Sequence, residues 1–292
     1  MKPKSSSKNS KSALFEKLVH KVAKKWVAGH SMRDALKSAK NANAKGMSAI
    51  INYLGEHLTN DDAIEASVNE YIAILQEMDR LHINGSISPK LTQLGLDKDY
   101  DTCENNALMI VERAKQLKKF VWLDMESSSY LDDTIGIYFT LLKRYEMVGL
   151  AFQAYLKHSA NYLVEVLMQG GKIRLVKGAY REDSSVVYRS KHMVDKNYMK
   201  LMQMLFEDGN NFAIATHDQT MIDHAIKLNN KHKKQFEFQM LKGVRDDIKS
   251  SLIKNEFSLA EYIPYGENIT AYSVRRIKEK PSNILLLARS LF

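Results

Sequence analysis

The chain has 292 residues, 45% of them hydrophobic, which suits one large domain with a substantial core. Cys103 is the single cysteine, which excludes an internal disulfide framework and a cysteine-based zinc site and fits a reducing, cytoplasmic location. The net charge of +9 is unevenly placed: residues 1–45 hold 12 Lys and Arg against 2 Asp and Glu, and the remainder holds 31 against 32.

A near-neutral body argues against a nucleic-acid cleft running across it. No run of 18 apolar residues occurs and no charged n-region with an apolar h-region opens the chain, so neither a spanning helix nor secretion is expected. The organisation predicted is a basic N-terminal arm over residues 1–45 and a main domain over 46–292. The arm starts polar, "MKPKSSSKNSK", with a composition typical of disorder. In "SALFEKLVHKVAKKWVAGH" that follows, Leu14, Phe15, Leu18, Val22 and Trp26 recur at helical spacing with lysines opposite. Such a helix either docks its apolar stripe on the body or lies on an anionic membrane surface.

From residue 46 short apolar runs alternate with longer helical patterns. The runs are 47–56, 85–95, 120–126, 149–156, 172–180, 212–217, 236–241 and 260–266, with amphipathic stretches such as 61–82, 103–119, 131–146, 190–208 and 219–233 between them. Eight strand–helix units predict an α/β fold, a (β/α)8 barrel of the TIM type with an N-terminal helical arm. A doubly wound sheet is the alternative, but no GxGxxG turn is present. In a barrel, function belongs at the carboxyl ends of the strands, and polar residues gather there.

In chain order, Lys90 lies in the second run. "WLDMES" places Asp124 and Glu126 two apart on one strand, facing alike; without a histidine cluster no metal is predicted. Gln153 lies in the fourth run. In "KIRLVKGAYRE", Arg174, Val176 and Gly178 point one way, Leu175 and Lys177 the other. Two cations on one strand suit a bound anion or an electron-accepting ring. Lys177 emerging into solvent is the plain alternative, and a Schiff-base lysine would lack an acid–base set. "IATHDQ" puts Thr216 and His217 at a strand end, where a histidine is either structural or functional. Gln239 and Tyr262 belong to the last two runs. In "AYSVRRIKEK", Tyr272, Arg275, Arg276 and Glu279 share one helical face, and two adjacent guanidiniums call for an anion between them. Lys90, Arg275 and Arg276 converging at a barrel mouth would hold a small anionic substrate.

In order and spacing, "INYLGE", "SPKLTQLGL", "WLDMES", "LAFQAYL", "IRLVKGAY", "IATHD", "FEFQMLKGVRDD" and "YIPYG" followed by Tyr272, Arg275, Arg276 and "EKPSN" resemble a monofunctional proline dehydrogenase, from about residue 50 to the C-terminus. The resemblance implies a distorted (β/α)8 barrel with FAD at the strand ends, held by Met125, Gln153, Arg174, Val176, Lys177, Gly178, Thr216 and His217. It implies Asp124 and Arg174 as catalytic positions, with Arg174 near flavin N5. Lys90, Arg275 and Arg276 would hold the substrate carboxylate, Tyr262 and Tyr272 would shape the ring pocket, and Glu279 would partner an arginine. The implied substrate is L-proline and the product 1-pyrroline-5-carboxylate. A membrane quinone would be the electron acceptor, with peripheral contact to the inner face of the membrane through residues 1–30. A separate pyrroline-5-carboxylate dehydrogenase would act downstream, since the aldehyde dehydrogenase domain of bifunctional relatives is not expected. The chain departs from the family at Lys242 and at "ENITAY", where aromatics are common. The competing expectations are a 4-hydroxyproline dehydrogenase, which a bulky Tyr272 beside C4 disfavours, another flavin barrel such as a folate reductase, and a non-catalytic anion- or nucleic-acid-binding protein.

Overall fold

The computed structural model describes residues 25–267, together with Ile269 and Tyr272. Eight parallel strands close into a barrel in sequence order: β1 (Ser48–Tyr53), β2 (Gly85–Ile87), β3 (Phe120–Leu123), β4 (Val148–Gln153), β5 (Lys172–Val176), β6 (Phe212–Ala215), β7 (Phe236–Leu241) and β8 (Leu259–Tyr265), with β8 pairing back onto β1. The helices are α1 (Met32–Asn43), α2 (Asp61–Arg80), α3 (Tyr100–Gln116), α4 (Leu131–Arg144), α5 (Ser159–Met168), α6 (Lys191–Asp208), α7 (Gln219–His232) and α8 (Asp246–Lys254). The (β/α)8 architecture expected from the alternating runs is therefore present.

Most of the predicted strands ran too far toward their carboxyl ends. Polar residues such as Lys90, Glu126, Lys177, Thr216 and His217 lie beyond the strands, in the loops that carry function in this fold. The largest difference is at 85–95, where β2 stops at Ile87. Pro89 has no N–H to give the ladder. Pairing resumes as a single bridge between Lys90 and Asp124, and residues Leu91–Gln93 form a 3-10 turn.

The described residues of the arm join the body. Ser31 caps α1, accepting from the Asp34 amide while the Asp34 carboxylate accepts from the Ser31 amide, a reciprocal capping box. Ala35, Leu36, Ala39 and Ala42 bury one face of α1 against β1 and β8, so this helix covers the seam where the barrel closes. Just before it, Ala28 N–H donates to Pro264 O at 2.8 Å and Gly266 N–H donates to Gly29 O at 3.0 Å. Trp26 is buried at 8% exposure; Leu14, Phe15, Leu18 and Val22 lie outside the described residues.

Alternation along the strands divides the core in two. The outward set, including Ile51, Leu123, Leu150, Leu175, Ile214 and Phe238, packs under the helices. The inward set is a smaller cluster of Ile50, Trp122, Ala213 and Ala260, with Phe120 and Tyr262 against it. Small residues there leave room for a few large polar side chains. Trp122 pairs in register with Gly149, and a Cβ at Gly149 would strike the indole ring. Gly149 thus lets Trp122 lie flat inside the barrel.

Candidate active site

Arg174 is the third residue of β5 and only 3% exposed. Its guanidinium carbon lies 5.2 Å from the centroid of the Trp122 ring and 5.7 Å from that of Tyr262, so the charge is held between two aromatic faces. Its Nη2 donates to Ser88 Oγ at 3.0 Å and ion-pairs with Asp124 Oδ1. Burying an arginine this deeply is costly unless it is paired, and Asp124 supplies the counter-charge.

Asp124 is the hub. Oδ1 accepts from Ser88 Oγ at 2.8 Å as well as from Arg174, and Oδ2 accepts from Lys90 Nζ at 3.1 Å and from Tyr262 Oη at 2.6 Å. Burial alone would raise its carboxyl, but the Lys90 and Arg174 charges, with hydrogen bonds from Tyr262 and Ser88, hold it below the usual carboxylate range. Tyr262 moves the other way: burial and the Asp124 charge push its phenol well above the ordinary tyrosine value, so it stays a donor. Tyr272 is also buried and acts on the Tyr262 phenol. Lys90, Asp124, Arg174 and Tyr262, expected from separate stretches, thus meet in one cluster. Two cations and one carboxylate leave it with a net charge of +1. Lys90 has three donor positions, of which Asp124 takes one.

Glu126 does not join Asp124, contrary to the expectation of two carboxylates facing alike. The strand ends at Leu123, and the Glu126 carboxylate turns to the 3-10 segment, accepting from Thr92 N–H at 3.0 Å and Thr92 Oγ1 at 2.6 Å. Burial raises its carboxyl against those two hydrogen bonds. Its work is to pin the loop that carries Lys90.

Around the carboxyl mouth stand the other expected residues. Gln153 Nε2 donates to Met125 O and Glu126 O, both at 3.2 Å, which aims its amide; its Oε1 is buried without a protein partner. Arg174 Nη1 is likewise buried and unpartnered. One buried acceptor and one buried donor suit a polar ligand carrying both kinds of group. Val176 ends β5, its carbonyl accepting from Ala154 N–H at 2.8 Å. Gly178 follows with φ +102°, and a Cβ there would enter the Tyr155 ring, so only glycine fits. Lys177 faces outward as the alternation requires, and it does not emerge into solvent. Its ammonium bridges Asp195 of α6 at 2.5 Å and Asp218, the cap of α7, at 2.8 Å. Thr216 Oγ1 accepts from Asp218 N–H at 3.1 Å. His217 Nε2 accepts from Leu241 N–H at 2.9 Å, so that nitrogen carries no proton. Arg275, Arg276 and Glu279 lie outside the described residues.

The site residues that motif reasoning missed are Ser88 and Trp122. Trp122 lies on β3 two residues before Asp124 and Ser88 just past the end of β2 two residues before Lys90, but neither residue type signals a site by itself.

The chain is similar to known proteins over most of its length. The family model for proline dehydrogenase matches residues 35–286. Proline dehydrogenase 2 of Bacillus subtilis (strain 168) is 33% identical over 283 residues, spanning 94% of this chain and 93% of that protein. Proline dehydrogenase of Deinococcus radiodurans is 32% identical over 278 residues, spanning 92% and 90%. Among solved structures, proline utilization A from Bdellovibrio bacteriovorus, inactivated by N-propargylglycine, aligns with a TM-score of 0.80 at 24% identity over 87% of this chain. This chain spans 32% of the length of that longer protein, and the likeness speaks to the fold.

Proposed function

The chain belongs to the proline dehydrogenase family, a family of oxidoreductases, and from that premise we propose that it oxidises L-proline to 1-pyrroline-5-carboxylate with FAD as cofactor and a membrane quinone as final acceptor. The observation that carries this reading is the cluster at the carboxyl mouth, where Lys90 and Arg174 flank Asp124 with an excess of one positive charge.

That charge suits a substrate carboxylate. The two open donor positions of Lys90 would bind it, together with Arg275 and Arg276. The same cations disfavour the protonated form of the substrate amine, and the reaction needs the neutral amine. Asp124 keeps Lys90 and Arg174 in place by occupying both its oxygens with them and with Tyr262 and Ser88. Fixing the carboxylate also fixes the direction of the ring, which is a positioning contribution. Tyr262 and Tyr272 would close on the ring and exclude water from it.

FAD fits the residues present: the Gln153 Oε1 acceptor and the Arg174 Nη1 donor are buried without partners, and Gly178 keeps the backbone after β5 clear of side chain. Met125, Gln153, Arg174, Val176, Lys177, Gly178, Thr216 and His217 would hold it, with Lys177 acting through the ion pairs that order the loop. When bound, FAD supplies the two-electron acceptor for the hydride that leaves C5 as the nitrogen lone pair forms the C5–N double bond. Arg174 would stabilise negative charge arising beside it, because a fixed buried cation needs no reorganisation.

The quinone role accounts for the basic arm, which would rest on an anionic membrane face. Among the described residues no helix is long and apolar enough to cross a membrane. Release of the product implies a separate dehydrogenase for 1-pyrroline-5-carboxylate. The test is an anaerobic spectrum of the FAD-loaded protein. Bleaching of the flavin bands by L-proline is expected, and faster bleaching by 4-hydroxyproline would overturn the substrate assignment.

A further inference from the structure

Beneath the cluster lies a second carboxylate that the reaction does not call on. Glu237 is the second residue of β7 and points into the barrel. Its register neighbour on β6 is Ala213, and Ala213 is also the register neighbour of Arg174 on β5. Glu237 and Arg174 therefore sit on strands two apart, their backbones about 10 Å from each other, with Ala213 on the strand between them. On the other side, Ala260 of β8 is small enough for the carboxylate to reach β1, where Oε2 accepts from Ser48 Oγ at 2.8 Å. Oε1 accepts from Gln239 Nε2 at 3.0 Å. Gln239 is itself buried, and its Oε1 has no protein partner.

The same carboxylate lines an open depression at the amino-terminal end of the barrel, which gives it a route to water and protons. The charged groups around it are Arg174 from β5 and, on the walls of the depression, Lys118, Lys119, Lys234 and Glu256; β6 and β8 present alanines. Lys119 and Lys234 are engaged by the backbone carbonyls of Ile83 and Gly209. Arg174 is thus the cation on the active-site side. Strands disfavour glutamate, and even a half-buried carboxylate gives up part of its hydration. Two hydrogen bonds from Ser48 and Gln239 do not explain why a charge is there.

We infer that Glu237 is a positioning residue whose charge, acting through Arg174 from below, sets how strongly the site above holds a carboxylate substrate. With Glu237 ionised, its charge offsets part of the excess positive charge at Lys90 and Arg174. With Glu237 protonated, that excess acts in full and anion binding tightens. Burial raises the Glu237 carboxyl, opposed by hydrogen bonds from Ser48 and Gln239 and by the Arg174 charge, so the switch falls above the ordinary glutamate range. The substrate carboxylate would lie beyond Arg174, more than about 10 Å from Glu237, and at that range protein-like screening leaves an effect of about threefold to tenfold on affinity.

The inference rests on the proposed proline site. Its test is the affinity of the FAD-loaded protein for tetrahydrofuran-2-carboxylate, an ether isostere of proline that keeps the carboxylate, followed through the flavin spectrum from pH 5 to 9. The wild-type affinity should fall about threefold to tenfold as pH rises through the Glu237 ionisation. Glu237→Gln should abolish that fall and bind as tightly at high pH as wild type does at low pH, and Glu237→Asp should restore it. Should Glu237→Gln fail to fold, Ser48→Ala leaves the charge but removes a hydrogen bond to it, and the inflection should move to higher pH. Superimposable profiles for wild type and Glu237→Gln, or an unmoved inflection in Ser48→Ala, would overturn the inference. Proline turnover by the same wild-type preparation separates the two claims. Turnover with unchanged profiles sinks the role of Glu237 alone. Carboxylate binding with the expected profiles but no turnover supports that role and sinks the proline reading.

Discussion

Asp124 shows how a single side chain can organise a site, and its removal should be felt in both stability and activity. Asp124→Ala leaves Lys90 and Arg174 without their counter-charge, a change that costs about 3–5 kcal/mol when a buried pair is broken. Chemical denaturation at pH 7 should show that loss. The folded carboxyl lies below its ordinary value, so its contribution is complete above the unfolded pKa of about 4 and is lost as pH falls through the folded value. The stability gap between wild type and Asp124→Asn should therefore be full at pH 7 and narrow below pH about 4; a gap that stays constant would refute the assignment. Tyr262→Phe removes one hydrogen bond to a charged group, about 1.5–3 kcal/mol, and should lower kcat/KM for proline roughly tenfold to a hundredfold. At this scale the sequence was partly legible. Asp124, Lys90, Arg174 and Tyr262 stand out as polar residues in apolar runs. Glu126 stands out equally, yet serves the loop, because whether a carboxylate two residues on shares a face depends on where the strand stops.

Elements carry these side chains through details of their ends. Asp218 both caps α7, its Oδ1 accepting from Thr220 N–H at 3.1 Å, and pairs through Oδ2 with Lys177 at 2.8 Å. Asp218→Asn keeps an acceptor for the cap and should cost little, while Asp218→Ala loses cap and ion pair together and should cost about 1–2 kcal/mol in thermal melts. Equal losses in the two variants would show that the cap contributes nothing. A longer chain of dependence runs from Gly149 to Trp122 to Arg174. Gly149→Ala pushes the indole from its place, so Arg174 loses the aromatic face 5.2 Å beneath it. A drop in kcat larger than the drop in melting temperature would predict, with altered tryptophan fluorescence, is the expected signature. Nothing in "MVGLAFQ" marks that glycine, since its constraint comes from a ring on the adjacent strand.

For the whole molecule, the relation of arm to barrel is the feature most open to experiment. The hydrogen bonds of Ala28 and Gly29 to the end of β8, and the burial of Trp26, tie residues 25–30 to the barrel. A Cβ at Gly243 would also strike the Lys25 backbone. Deleting residues 1–24 should leave the melting temperature nearly unchanged and abolish sedimentation with anionic liposomes. Deleting 1–30 should lower the melting temperature as well. Undiminished liposome binding after either deletion would sink the membrane role of the arm.

The sequence by itself determined the barrel, because eight alternating apolar runs with intervening amphipathic helices have few other ways to bury their surfaces. It also determined which polar residues are costly enough in a strand to need a reason. What only the tertiary structure decided is which of them meet. Barrel closure sets β8 beside β1 and turns residues far apart in the chain onto one axis, so Tyr262 reaches Asp124 and Arg174 reaches Ser88. The approach of Glu237 to Arg174 across Ala213 is likewise a matter of strand register, and register is fixed by packing across the barrel rather than by any local run of residues.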